Sequence, residues 1–305
     1  MKRLLISIFF IIASLWCIDR LGGVAMHYVS RNTHDIFGPK MKHIAVDADE
    51  DIILMGTSRC NMHYVPSIIS DSVGQTVYNC GIDATKDIFS HYIMLNHLLS
   101  HHTPKVIILD TRNEDLLGSS DFSTIGFFAP YFGINSSSDS VMREAGKYWA
   151  YKVSHLYRYN AKAPSNILGL VVDSYANNDN GYIPLARPQD HPQELIHKTD
   201  TMLPLDSLKY DYYQRFVNRC HEHGIRLILA ISPCYSIIDS SYYSAVYSFA
   251  KQNNLQLLDY HSEGLFHDCP QCFKDDHHLW DSSARVFSEQ FAHDLKQILA
   301  HSANN

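Results

Sequence analysis

The chain has 305 residues, 46% of them hydrophobic, and a formal net charge of −7 with its 19 histidines counted as neutral. That length allows one large core or two small ones. The acidic balance argues against nucleic acid or an anionic lipid surface as the main partner, because both reward basic patches.

The first 18 residues stand apart. Lys2 and Arg3 precede Leu4 to Ile18, a run without charge, and Asp19 and Arg20 close it. A basic start before an apolar segment marks export. The run is short for a membrane span, which usually takes ~20 residues. The expected segment therefore covers 1–29, with Asp19 and Arg20 near the far interface. Ser14-Leu15-Trp16-Cys17 is a poor cleavage site, which favours an uncleaved signal-anchor over a cleaved signal. Basic residues at the N-terminus keep that end cytoplasmic. The expectation is a single-pass protein of the cell membrane with its C-terminal domain outside, in the periplasm.

Residues 30–50 read as a connector, and strands and helices alternate after it. Ile52 to Met55 is a buried strand ending at Gly56, Val65 to Ile69 a short helix, and Thr76 to Asn79 a second strand. Residues 84–100 carry Ile88, Tyr92, Leu95 and Leu99 at helical spacing. Val106 to Leu109 is the third strand. Leu208, Tyr212, Phe216 and Cys220 line a helix stopped by Gly224. Ile225 to Ile231 is the fourth strand, 241–253 a helix, and Leu255 to Leu258 the fifth strand. A last helix starts near Ser282. Strands separated by helices imply βαβ units and a mainly parallel five-stranded sheet between two helical layers, a three-layer α/β/α sandwich over 51–301. The stretch 111–205 breaks the alternation and reads as an insertion, helical around 139–160. It is either a lid or a helical layer on the sheet edge.

Seven scattered cysteines do not describe a disulfide scaffold. Cys269 and Cys272 alone have a motif spacing, and they read as a local disulfide or two idle thiols. With His267 they make only half a zinc site, so no metal is expected.

The strand ends carry the chemistry. The first delivers Ser58, the second Asn79 and Gly81, the third Asp110 and Asn113. The loop after the fifth delivers Asp275, Asp276, His277 and His278. In a parallel sheet these ends share one edge. A serine hydroxyl needs an adjacent base, which histidine can supply while a carboxylate holds its tautomer. Asp275 and His278 are three apart, which on a turn puts both on one side. Gly81 allows its N–H close to a substrate oxygen, and the Asn113 amide is a further candidate donor. Taken singly, each residue has a plainer role: Ser58 and Asp275 as helix caps, Gly81 in a turn. Arg59 either meets an anionic substrate group or pairs with a carboxylate.

The blocks "GTSR", "YNCGID", "TRNED" and "FKDDHHLW" resemble, in order, the four blocks of the SGNH (GDSL-like) hydrolase family, in its membrane-anchored bacterial type. The resemblance implies a flavodoxin-like sheet, with Ser58 as nucleophile and Asp275 and His278 as the base pair. It implies an oxyanion hole from Ser58, Gly81 and Asn113. No metal or organic cofactor is implied. Gly-Thr-Ser-Arg departs from the family's Gly-Asp-Ser-Leu, and Thr111 stands where many members have glycine. The implied activity is that of a serine esterase or O-acyltransferase acting on an ester such as an O-acylated cell-surface glycan. The alternative is an inactive anchored glycan-binding or assembly protein with the same fold.

Overall fold

The computed structural model describes all residues except 86, 161, 176–177, 187–202, 236–239, 262–265, 267–268 and 303–305. His267 lies outside the described residues. In chain order the helices are α1 Lys2–Asn32, α2 Gly38–Lys42, α3 Ser58–His63, α4 Pro66–Val73, α5 Ile88–Leu98, α6 Ser136–Glu144, α7 Tyr148–Val153, α8 Ala163–Leu168, α9 Ser207–Glu222, α10 Ser244–Gln252 and α11 Asp281–Ser302. The strands are β1 Ile52–Met55, β2 Val77–Asn79, β3 Val106–Asp110, β4 Arg226–Ile231 and β5 Gln256–Asp259.

All four strand pairings are parallel, in the order β2-β1-β3-β4-β5. This is the flavodoxin-like order, and its switch point lies between β1 and β3. β1 is buried along its whole length, so it reads as a continuous apolar run rather than an alternating one. Its side chains nonetheless divide by the pleat. Ile53 and Met55 pack with Ile107 and Leu109 against α5, α9 and α10, while Ile52 and Leu54 pack with Ile108 and Ile228 against α4 and α11. Each such aliphatic side chain contributes roughly 1.5–3 kcal/mol on burial. The result is an α/β/α sandwich.

Two segments have more structure than their sequence suggests. Within the stretch read as a connector, α1 continues to Asn32, α2 follows, and a π-helical turn spans His43–Asp47. Lys40, Met41 and Ile44 from this region are buried. Within the insertion, a 3₁₀ segment Ile125–Tyr131 and α6 lay Ile125, Phe128, Val141 and Met142 into the same core as α5. This part is a helical layer on the domain. The helix expected around 139–160 is two short ones, because Gly146 adopts φ +67° after α6 and breaks the run. α1 has 31 residues and is long and apolar enough to cross a membrane.

Candidate active site

The site starts at the end of β1. Gly56 has φ +157°, and a Cβ there would lie 2.9 Å from Asp110 Cβ on β3 and 2.6 Å from Cys60 Cβ. Only glycine allows this close turn. Thr57 takes the N-cap position of α3, which leaves Ser58 as the first helical residue rather than the cap.

Ser58 Oγ lies 2.7 Å from His278 Nε2. On the other side of the ring, Nδ1 lies 2.8 Å and 2.9 Å from the two Asp275 oxygens. Asp275 Oδ1 also accepts the backbone N–H groups of His277 and His278, at 2.9 and 3.0 Å. Burial would raise the Asp275 carboxyl, but the His278 ring and these two N–H groups hold it down to about 2. An ionised carboxylate only accepts, so Nδ1 must donate, and Nε2 is left to accept the Ser58 O–H. Asp275 does not cap the final helix, which begins at Asp281.

The neighbouring histidine borders the same cavity but has a different partner. His277 Nδ1 lies 3.1 Å from Cys234 Sγ, and this contact holds the His277 ring above its usual range. The two imidazole planes are 83° apart.

Ser58, His277 and His278 line a cavity of about 120 Å³ together with Arg59, Arg112, Glu114, Cys234 and Tyr243. Arg112 and Glu114 also border a second hollow of about 420 Å³, lined by Asp87, Ser119, Asp121 and Lys209. Arg59 is buried and pairs with a carboxylate: Nε is 3.9 Å from Asp110, and its other nitrogens donate to Tyr243 Oη and the Thr111 carbonyl. Asp110 in turn accepts the Tyr64 hydroxyl and the Ser232 N–H.

The structure does not bring Gly81 or Asn113 to the wall of this cavity. The Gly81 N–H donates to Asn79 Oδ1 at 2.9 Å, and the Gly81 carbonyl accepts Lys40 Nζ at 2.6 Å. A Cβ at Gly81 would sit 2.3 Å from the Asn61 backbone nitrogen. Glycine is therefore needed there for the packing of α3 against the β2 loop. Asn113 opens a 3₁₀ turn, is 2% exposed, and its buried Oδ1 has no hydrogen-bond partner among the described residues.

Two positioning residues escaped the sequence reading. His63, buried on α3, accepts the Leu279 N–H at Nε2, 3.0 Å away. Burial, with His278 and Arg59 nearby, pushes its ring well below the usual range and keeps it neutral. This bond ties the helix that carries Ser58 to the loop that carries His278. Lys40 donates to Asn61 Oδ1 at 2.5 Å as well as to Gly81, and burial lowers its ammonium to about 8. Neither residue has a motif spacing. Both act through contacts across many residues of sequence. Cys269 and Cys272 form a disulfide just ahead of Asp275.

No family model matches the sequence, and no curated protein matches it. Among solved structures, the chain is similar to a protein of Desulfitobacterium hafniense assigned to the G-D-S-L lipolytic family, at 10% identity and TM-score 0.41, covering 80% of this chain and 98% of that one. It is similar to a Bacteroides fragilis protein assigned as an acylhydrolase, at 11% identity and TM-score 0.38, covering 80% and 87%. It is similar also to the acetyl xylan esterase AlAXEase, at 13% identity and TM-score 0.36, covering 79% and 98%.

Proposed function

We propose that the chain is a serine esterase or O-acyltransferase of the SGNH type that acts on short-acyl esters of a polar alcohol, such as an O-acylated cell-surface glycan. The observation that carries this reading is the unbroken relay from Ser58 Oγ through His278 to Asp275, at 2.7 and 2.8 Å. His278 takes the Ser58 proton, Ser58 attacks the ester carbonyl, and the same imidazolium returns the proton to the leaving alcohol. Asp275 stabilises the imidazolium. Water, or a sugar hydroxyl, then releases the acyl group.

The cavity dimensions support a small acyl group. About 120 Å³ is well below the ~300–1,000 Å³ of sites that enclose drug-sized ligands. The adjoining hollow offers Ser119, Asp121 and Arg112 as hydroxyl-binding groups to the alcohol side, while the buried Lys209 and Asp87 are paired with each other beneath it.

The oxyanion falls first to the Ser58 N–H, which at the first helical position has no intrahelical acceptor. Gly81 joins only by giving up its bond to Asn79, and Asn113 only by turning toward the cavity.

The test is labelling by a fluorophosphonate, with hydrolysis of a small acetyl ester. Wild type should label and turn over, and Ser58→Ala should do neither while keeping its circular dichroism. An unlabelled, inactive wild type would leave the anchored glycan-binding reading. The proposed setting is the periplasmic face of a membrane. An alkaline phosphatase fused to the C-terminus should be active, and a stable but inactive fusion would move the domain to the cytoplasm.

A further inference from the structure

The surface around the foot of α1 is unlike the rest of the molecule. Among the described residues that follow α1, fourteen large hydrophobics are exposed, and nine of them lie between Trp149 and Val172. Val171 is 82% exposed, Val153 69% and Trp149 68%. The same neighbourhood reverses the charge of the chain. From residue 143 to 162 it carries Arg143, Lys147, Lys152, Arg158 and Lys162 against the single acid Glu144, on a protein of net charge −7.

This segment is fastened to α1. Asp19 accepts the Ser154 hydroxyl and the backbone N–H groups of His155 and Leu156. Arg20 donates to the Val153 carbonyl. Gly23 is buried against His155, where a Cβ would stand 2.4 Å from the His155 Cβ. Higher up, Asn166 donates to Ser30 Oγ and the His34 N–H donates to the Gly169 carbonyl. At the point where the exposed run Leu4–Ile18 leaves the domain, the exposed apolar side chains are therefore those of Trp149, Val153, Leu156 and Tyr157, whereas Leu168 and Val171 lie beside residues 30–34, about 17 Å further along α1.

The lengths agree with one occupant. Leu4 to Ile18 as helix is about 22 Å long, against a hydrocarbon core of ~30 Å. The shortfall of about 8 Å matches the ~5–10 Å to which apolar faces sink at a bilayer surface. We propose that residues 149–158 form a collar that sits in the headgroup layer of an anionic phospholipid bilayer where α1 emerges. Trp149, Val153 and Tyr157 lie at acyl-chain depth, and the lysines and arginines meet the phosphates. α1 is then a retained anchor, since the domain is built around its residues 19–34. This proposal does not depend on the esterase reading.

The test uses full-length protein in vesicles of phosphatidylethanolamine and phosphatidylglycerol, with and without brominated acyl chains. Of the chain's three tryptophans, Trp16 and Trp280 are replaced by phenylalanine so that Trp149 reports alone. Its emission should shift to the blue, lose about half its intensity to the brominated chains and resist aqueous iodide. Val153→Asp with Tyr157→Asp should cancel that quenching while α1 keeps the protein with the vesicles. Quenching by iodide and not by bromine overturns the proposal. Shielding from both quenchers in a dimeric protein also overturns it and assigns the surface to a second copy. Equal bromine quenching in pure phosphatidylcholine overturns the role given to the basic residues. If the reporter variant does not fold, the difference between wild type and Trp149→Phe gives the same reading.

Discussion

The carboxyl edge of the sheet has two halves that are built differently. Where the loop after β5 meets α3, the side chains form a continuous polar chain, Ser58 to His278 to Asp275, open to a cavity. Where the loops after β2 and β3 end, the equivalent groups face inward. Gly81 donates to Asn79, and Asn113 is buried. Both halves hold the residue types that acyl transfer needs. Arrival at an edge is therefore separate from facing the substrate. The first follows from strand order and the second from local side-chain contacts.

The sharpest test of the first half is to remove its members. Ser58→Ala and His278→Ala should each lower kcat on the order of 10⁶-fold, and fluorophosphonate labelling should vanish. Asp275→Asn should cost about 10⁴-fold, because it withdraws the acceptor that fixes the Nδ1–H tautomer. The Asp275 contact also has an acid signature. Its folded carboxyl, at about 2, lies below the usual 3.8 of the unfolded chain. The contact therefore stabilises the fold above that range and loses its contribution as pH falls from about 4 to 2. Thermal melts over that range should drop further for wild type than for Asp275→Asn, and parallel curves would deny the contact.

His63 tests whether the two elements of the first half are fixed to each other. His63→Ala leaves the Leu279 N–H buried without its acceptor and loosens the loop that carries His278. A loss of about 100-fold in kcat with KM little changed is expected, as for a small misplacement of a catalytic group. His63→Gln, which restores an acceptor, should recover most of it. A KM effect alone would make His63 a packing residue.

The second half should respond weakly if its inward-facing geometry persists during turnover. A working oxyanion donor is worth about 3 kcal/mol, near 100-fold in kcat. Asn113→Ala should fall well short of that, and a full 100-fold loss would show that Asn113 turns into the cavity during the reaction. The smallest effect concerns the disulfide. Replacing Cys269 and Cys272 with serine removes a short loop closure worth about 2 kcal/mol. It should lower Tm by a few degrees and leave kcat within a factor of about three.

The sequence makes the sheet legible because central strands are dry on both faces. Ile52 to Met55 and Val106 to Leu109 are apolar without interruption, and Gly56 ends the first of them. Asp275 and His278 are legible because a three-residue spacing on a turn is a local fact. Gly81 shows the limit. Its presence is visible in sequence, but the reason for it is the α3 backbone beside Asn61, and the use of its N–H depends on how Asn79 is held by Cys60 and Tyr64. His63 and Lys40 are not legible at all, because their partners lie 216 and up to 41 residues away. The stretch 30–50 reads as a connector because its buried face, Lys40, Met41, Ile44 and Ala48, is only about two turns long and includes a lysine, too short and too polar a period to mark a core helix.

Lys40 has a practical consequence for anyone who wishes to separate the domain from the exposed start of α1. Its ammonium satisfies both Asn61 Oδ1 and the Gly81 carbonyl beneath the site. A truncation at the start of β1, the boundary that strand prediction alone would suggest, leaves both acceptors buried without a donor. Each such loss costs about 1–3 kcal/mol. A cut just before Asp19 preserves Lys40 and the hydrogen bonds from Ser154, His155 and Leu156 to Asp19. Released protein made that way should keep its fold, whereas the shorter form should precipitate or melt early. The same arithmetic applies to any protease that cuts between α1 and β1.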